Sequence, residues 1–198
     1  MKKLLLLFCA LLSFGISTAP AYAYDSYVSG NVGWTLSNDL NIKDTNDHIV
    51  IKLPLKKGVS VLAALGSRSE NVRLEGEFGY QTRDLNLTGL NGKWEILSLL
   101  ANCYYDFSTK GIQPYVTAGI GAGRITLTDF FTGGYQYNWE GSTKLAYQLG
   151  AGFAIPINNK ISIDARYRYF VLNDVTNGNV IKYTPAISSV LVGLRFGF

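Results

Sequence analysis

The chain has 198 residues, room for one domain of ordinary size, with 18 Lys and Arg against 14 Asp and Glu. It carries 21 Gly, 13 Tyr, 10 Phe and 3 Trp, a β-rich composition with few charges. The basic residues are scattered and nearly balanced by acids, which excludes nucleic acid as a partner.

The start, MKKLLLLFCALLSFGISTAPAYA, has two lysines, an apolar run from Leu4 to Leu12 and the small-residue pattern Ala21-Tyr22-Ala23. These are the three parts of a secretory signal peptide. Residues 1–23 are therefore expected to be cleaved, leaving 24–198 as one domain. Cys9 follows Phe8, where a lipoprotein signal carries a small residue, so lipidation is not expected. With the signal gone, two of the 18 basic residues go with it, leaving 16 against 14 acids. Cys103 is then the only cysteine, and no internal disulfide can form. No later stretch reaches the roughly 18 apolar residues of a membrane helix. Any membrane crossing must be made by strands.

Eight segments alternate with period two. The first, Asp25 to Leu36, sets Val28, Gly30, Val32, Trp34 and Leu36 against Ser29, Asn31, Gly33 and Thr35. The second is Gly58 to Ser67. The third, Asn71 to Arg83, opposes Val72, Leu74, Gly76, Phe78 and Tyr80 to Arg73, Glu75, Glu77, Gly79, Gln81 and Arg83. The fourth runs from Lys93 to Phe107. The fifth, Gln113 to Thr128, loses its parity near Arg124, which points to a β-bulge. The sixth is Ser142 to Ile155 and the seventh Ile161 to Leu172. The eighth, Ala186 to Phe198, ends on an aromatic residue, with Val190, Val192, Leu194 and Phe196 on its apolar face and Arg195 on the other.

Short connections (Arg68 to Glu70, Ser108 to Ile112, Pro156 to Lys160) alternate with longer ones (Ser37 to Lys57, Asp84 to Gly92, Asp129 to Gly141, Asn173 to Pro185). A meander with short turns at one end and long loops at the other is the pattern of an outer-membrane barrel. Gly, Ala and Ser accompany the charges on the polar face, which suits a narrow interior. Trp34, Tyr80, Trp94 and Tyr147 near one end, and Tyr105, Phe107, Phe196 and Phe198 near the other, suggest two interfacial girdles. The expected fold is an all-β, eight-stranded antiparallel up-and-down transmembrane β-barrel.

An arginine facing lipid at mid-depth costs about 2–4 kcal/mol, so the strand arginines must point inward. The third and seventh strands lie opposite each other. Counting depth along them yields an interior ion cluster of Arg73, Glu75, Glu77, Asp164, Arg166, Arg168 and Arg195. Its plain reading is neutralisation and plugging of the core; the alternative is a gated ion path.

Signals for chemistry are weak. The only histidine, His48, lies in the first long connection beside Asp47, with no serine placed to form a triad. One His and one distant Cys do not make a metal site. Asp39, Asp44 and Asp47 in that connection offer at most weak cation binding and read first as solvated acids. Gly119, Gly121 and Gly123 are spaced by two on a strand with no following helix, which excludes a phosphate loop and suggests room for large interior side chains. No catalytic residue, cofactor or metal is expected. The best contact candidates are Phe130, Phe131, Tyr135, Tyr137 and Trp139, interleaved with Gly133, Gly134 and Gly141 in the third long loop.

The segments NVRLEGEFGYQTRD (71–84), LLANCYYDF (99–107), PYVTAGIGAG (114–123), LAYQLGAGFAI (145–155) and VGLRFGF (192–198) resemble the small outer-membrane barrels of the OmpA-like and opacity-protein group. Within that group the chain is most similar to porin-like surface antigens and adhesins of Rickettsia and its relatives. The resemblance implies residence in outer-membrane lipid and insertion by the barrel assembly machinery, with Phe198 part of the signal. It also implies antigenic or adhesive surface loops, with a host-cell surface protein as a partner. The wall-anchoring role of longer OmpA-type proteins is not expected to carry over. A non-enzymatic surface protein is the first expectation, and a small pore the alternative.

Overall fold

The computed structural model describes residues 25–36, 40–44, 49–53, 58–87, 90–132, 135–173, 175–177 and 181–198. The strands in chain order are β1 (Asp25–Thr35), β2 (Leu40–Asp44), β3 (Ile49–Leu53), β4 (Gly58–Ser69), β5 (Val72–Leu87) and β6 (Leu90–Asp106). They continue with β7 (Gln113–Thr132), β8 (Tyr135–Pro156), β9 (Ile161–Leu172), β10 (Val175–Asn177), β11 (Ile181–Tyr183) and β12 (Ala186–Gly197). Eight of them close into a barrel in the order β1-β12-β9-β8-β7-β6-β5-β4. Every neighbouring pair is antiparallel, and β1 closes the ring against β12 from Tyr27 opposite Gly197 to Thr35 opposite Ser189. Closure leaves no strand edge, the condition for a sheet to stand in hydrocarbon.

The period-two pattern sorts the side chains. Val32, Trp34, Leu65, Leu74, Phe78, Ile120, Leu149 and Val192 are all exposed on the outside. Arg73, Glu75, Glu77, Gln81, Asn102, Gln148, Arg166, Arg168 and Arg195 are buried inside. A continuous apolar exterior around a polar interior inverts a water-soluble protein. It fits a barrel facing lipid. Cys103 lies on the exposed outer face as a small apolar residue.

The short turns are tight. Ser69 pairs with Val72, leaving Glu70 and Asn71 between them, and Glu70 takes a φ of 53°. A positive φ at the first central residue is what a type II′ hairpin turn requires. In the β8–β9 turn the Asn158 side-chain carbonyl accepts from the amides of Lys160 and Ile161, each at 2.8 Å. The bulge expected near Arg124 is present, as a register shift between Arg124 and Thr126 against β8.

The long connections differ from expectation. Stretch 129–141 was expected as a loop, but the β7–β8 ladder continues through Phe130 opposite Tyr137 to Thr132 opposite Tyr135. The run from Thr126 to Trp139 is rich in Thr, Phe and Tyr around Gly133-Gly134, a composition that favours a hairpin over a flexible frame. The β5–β6 ladder likewise continues to Leu87 opposite Leu90. The first and last long connections contribute β2, β3, β10 and β11 to a second, four-stranded sheet in the order β10-β11-β2-β3. Their signal was in the sequence: IVIKL is rich in β-branched residues, but over too few positions to stand out.

Candidate functional site

The barrel interior is stratified. Nearest the short turns, Arg73 grips Asp106 with two nitrogens, Nε to Oδ2 and Nη2 to Oδ1, both at 2.9 Å. Arg68 reaches the same carboxylate at 2.7 Å, and Arg73 also pairs with Glu75 at 3.3 Å. Glu75 accepts from the Tyr27 hydroxyl at 2.6 Å. Across the ring, Arg195 pairs with Asp164 at 3.0 Å, and Tyr115 donates to the same carboxylate at 2.8 Å. The Arg73 guanidinium also stacks over the Tyr104 and Tyr115 rings, 4.3 and 4.8 Å from their centroids. This inner layer holds three guanidiniums and three carboxylates.

One step further out, Glu77 on β5 meets Arg166 at 3.0 Å and Arg168 at 3.3 Å, both from β9 on the opposite wall. Arg166 also donates to Tyr104, and Arg168 to Gln148. Gln148 hands a hydrogen bond on to Asn102 at 2.6 Å. A buried charge is tolerable only when paired and hydrogen-bonded; here Glu77 pairs with both guanidiniums, and Tyr104 and Gln148 each accept from one of them. Small residues make the space: a Cβ at Gly66 would sit 2.6 Å from the Tyr27 ring, and one at Gly119 would collide with the Asn102 amide.

Above that layer, towards the long connections, the interior turns apolar. Ile96, Leu100, Ile125, Ala146, Phe170, Leu172 and Ile187 form a buried cluster, with Trp94 packed against it. Trp94 was expected in the outer girdle. It shares the parity of Ile96 and Ser98 on β6 and therefore packs against the interior cluster instead. Beside this cluster Arg83 donates to the Thr35 hydroxyl at 3.1 Å and to the Leu36 carbonyl, joining the end of β1 to β5.

All seven residues expected in the interior cluster face inward, in two layers. Asp106, Tyr27, Tyr104, Tyr115, Gln148, Arg68 and Arg83 belong to the same interior and were missed. Arg68 was expected in a short turn but lies in β4, which runs to Ser69; the others had the parity of the interior, and the partner of each is set by the stagger between strands. Of the contact candidates, the backbone of Phe130 and Phe131 lies in β7 and that of Tyr135, Tyr137 and Trp139 in β8, on the extended hairpin. Asp44 ends β2, while His48, Asp39 and Asp47 lie outside the described residues. Among the described residues no three His, Cys, Asp or Glu side chains are grouped to hold a metal ion. Phe198 is exposed beyond the end of β12, with its amide bonded to the Ser26 carbonyl at 3.0 Å.

Residues 6–196 match the family model described as the outer membrane protein beta-barrel domain. The chain belongs to that family. Among solved structures it is similar to Neisserial surface protein A, with a TM-score of 0.60 and 19% identity over 87% of this chain and 97% of that one. It is also similar to the outer membrane protein AlkL, with a TM-score of 0.52 and 14% identity over 92% and 94% of the two chains. A weaker likeness, TM-score 0.45 and 15% identity over 87% and 99%, is to Ail, the attachment invasion locus protein of Yersinia pestis. No curated protein matches the chain significantly.

As an outer-membrane barrel, the protein has more strand than a crossing needs. A transmembrane strand takes about 9–11 residues, whereas β7 has 20 and β8 has 22. Their ends at Gln113 and Pro156 are joined to short turns, so the surplus lies wholly on the long-connection side. The four-stranded sheet arises from the first and last long connections at that same end. The start of β1 at Asp25, the short turns and Phe198 share the opposite end.

Proposed function

We propose that this protein is a non-enzymatic surface protein of the outer membrane that makes contacts through its long-connection end. The observation that carries this reading is the outward extension of β7 and β8, which mounts Phe130, Phe131, Tyr135, Tyr137 and Trp139 on a paired hairpin. Aromatic side chains on a rigid frame lose little conformational entropy on binding and serve well as interface anchors. The partner is a host-cell surface protein, and the exposed segments are antigenic. Export by the cleaved 1–23 segment and insertion by the assembly machinery through Phe198 complete the scheme. The finer likeness to rickettsial surface antigens rests on the sequence segments alone.

The test is binding of cells displaying the protein to cultured host cells. Alanine at Tyr135, Tyr137 and Trp139 together should reduce binding at least tenfold with the amount of folded barrel unchanged. Unchanged binding would overturn the reading.

The pore alternative meets a physical obstacle. An eight-stranded barrel is only wide enough for its side chains, and here the Glu77 layer and the Phe170 cluster both lie across the lumen. Purified protein in a planar bilayer should show no unit conductance, and steady single-channel steps would restore the pore.

A further inference from the structure

The first long connection begins and ends side by side. Thr35 and Gly58 are the last pair of the β1–β4 ladder, so residues 36–57 leave the barrel and return to it at one point of the rim. They carry β2 and β3, and β2 pairs with β11 of the last long connection, from Ile42 opposite Tyr183 to Asp44 opposite Ile181. A group that holds this point of the rim holds the root of the four-stranded sheet.

Past its last pair a ladder offers no further strand partners, so buried polar groups at the root need others. Thr35 is fully buried, and its hydroxyl oxygen accepts from the Gly58 amide at 2.7 Å. The same oxygen accepts from Arg83 Nε at 3.1 Å, while Arg83 Nη2 donates to the Leu36 carbonyl. The Leu36 amide in turn donates to the Ser188 carbonyl of β12 at 2.8 Å. One guanidinium thus grips the chain where it leaves β1 and, through the shared hydroxyl, where it enters β4. Arg83 comes from β5, and β4 stands between β5 and β1 in the barrel. The side chain passes at Gly58, where a Cβ would stand 2.6 Å from Arg83 Cγ and 2.0 Å from the Thr82 carbonyl oxygen. The absent side chain at that position opens the path.

We propose that Arg83 is a positioning residue that clamps the root of the first long connection and so sets the pose of the four-stranded sheet on the barrel. A planar guanidinium carries its donors in a rigid fork, which suits two acceptors on consecutive residues. The sheet is a different surface element from the β7–β8 hairpin, so this inference does not rest on the contact role of the hairpin aromatics.

Amide hydrogen exchange reads local opening of the sheet separately from opening of the barrel. In the refolded protein in lipid vesicles, Arg83→Met keeps an apolar stem and removes the donors. It should speed exchange at residues 40–44 and 181–183 roughly fivefold or more and leave residues 161–172 unchanged. Thr35→Val removes the shared acceptor and should act in the same way. Because both substitutions break one clamp, the double variant should fall short of the product of the two single effects. Unchanged exchange at 40–44, equal acceleration through the barrel strands, or single effects that multiply would overturn the proposal. So would an Arg83→Met chain that fails to close its barrel, since Arg83 would then support the barrel itself.

Discussion

Arg166 and Glu77 meet at 3.0 Å across the barrel interior although 89 residues separate them in sequence. The contact joins opposite walls of the cylinder, so it forms only when the sheet has closed with the correct stagger. It ties the architecture to an interior that cannot be emptied without penalty.

Removing the shared carboxylate is the sharpest perturbation of that interior. Glu77→Leu leaves Arg166 and Arg168 buried without a counter-charge and should cost about 3–5 kcal/mol. Combining it with Arg166→Met and Arg168→Met, which replaces the whole group by apolar side chains, should recover most of the loss. Urea unfolding of the refolded barrels in lipid vesicles measures both.

The lipid face should respond by depth. Leu149, exposed near the middle of β8, should cost about 2–4 kcal/mol when changed to Arg, whereas Ile157→Arg beside the short turn should cost about 0–1 kcal/mol. Equal costs at the two positions would mean that the exposed apolar band does not face hydrocarbon. The same vesicle unfolding assay reads the comparison.

Glu70 holds a conformation that suits glycine. A non-glycine residue at positive φ costs about 1–2 kcal/mol, and glycine's extra freedom in the unfolded chain returns about 0.5–1 kcal/mol of that. Glu70→Gly should therefore stabilise the barrel by about 0.5–1 kcal/mol, seen as a higher urea midpoint at unchanged slope.

The barrel strands were legible because half-buried sheets in lipid alternate without exception over a crossing. Ile161–Leu172 is bounded in the sequence where the structure bounds it. The charged interior was legible for an energetic reason, since Arg73, Arg166, Arg168 and Arg195 had no tolerable place in lipid. Their partners were harder to read. Asp106 and Tyr104 lie on the inward face of β6, but which strand each one reaches depends on stagger, which a single sequence does not encode locally. Trp94 looked like a girdle residue by its type and belonged to the interior by its parity. The hairpin extension and the four-stranded sheet were missed because short ladders and paired glycines look alike in loops and turns.

The N-terminal segment makes its own prediction. Intact-mass measurement of the protein from outer membranes should give a chain beginning near Tyr24. Retention of Met1 to Ala23 would show the segment to be an anchor.

Orientation is the claim on which the rest depends, because the contact role requires the β7–β8 hairpin to face outside. Single cysteines in a Cys103→Ala background, at Thr132 near the hairpin tip and at Asn159 in the β8–β9 turn, can be challenged with a membrane-impermeant maleimide. On intact cells Thr132→Cys should label and Asn159→Cys should not, with both labelling once the outer membrane is permeabilised. Labelling of Asn159→Cys on intact cells, with Thr132→Cys protected, would contradict the account.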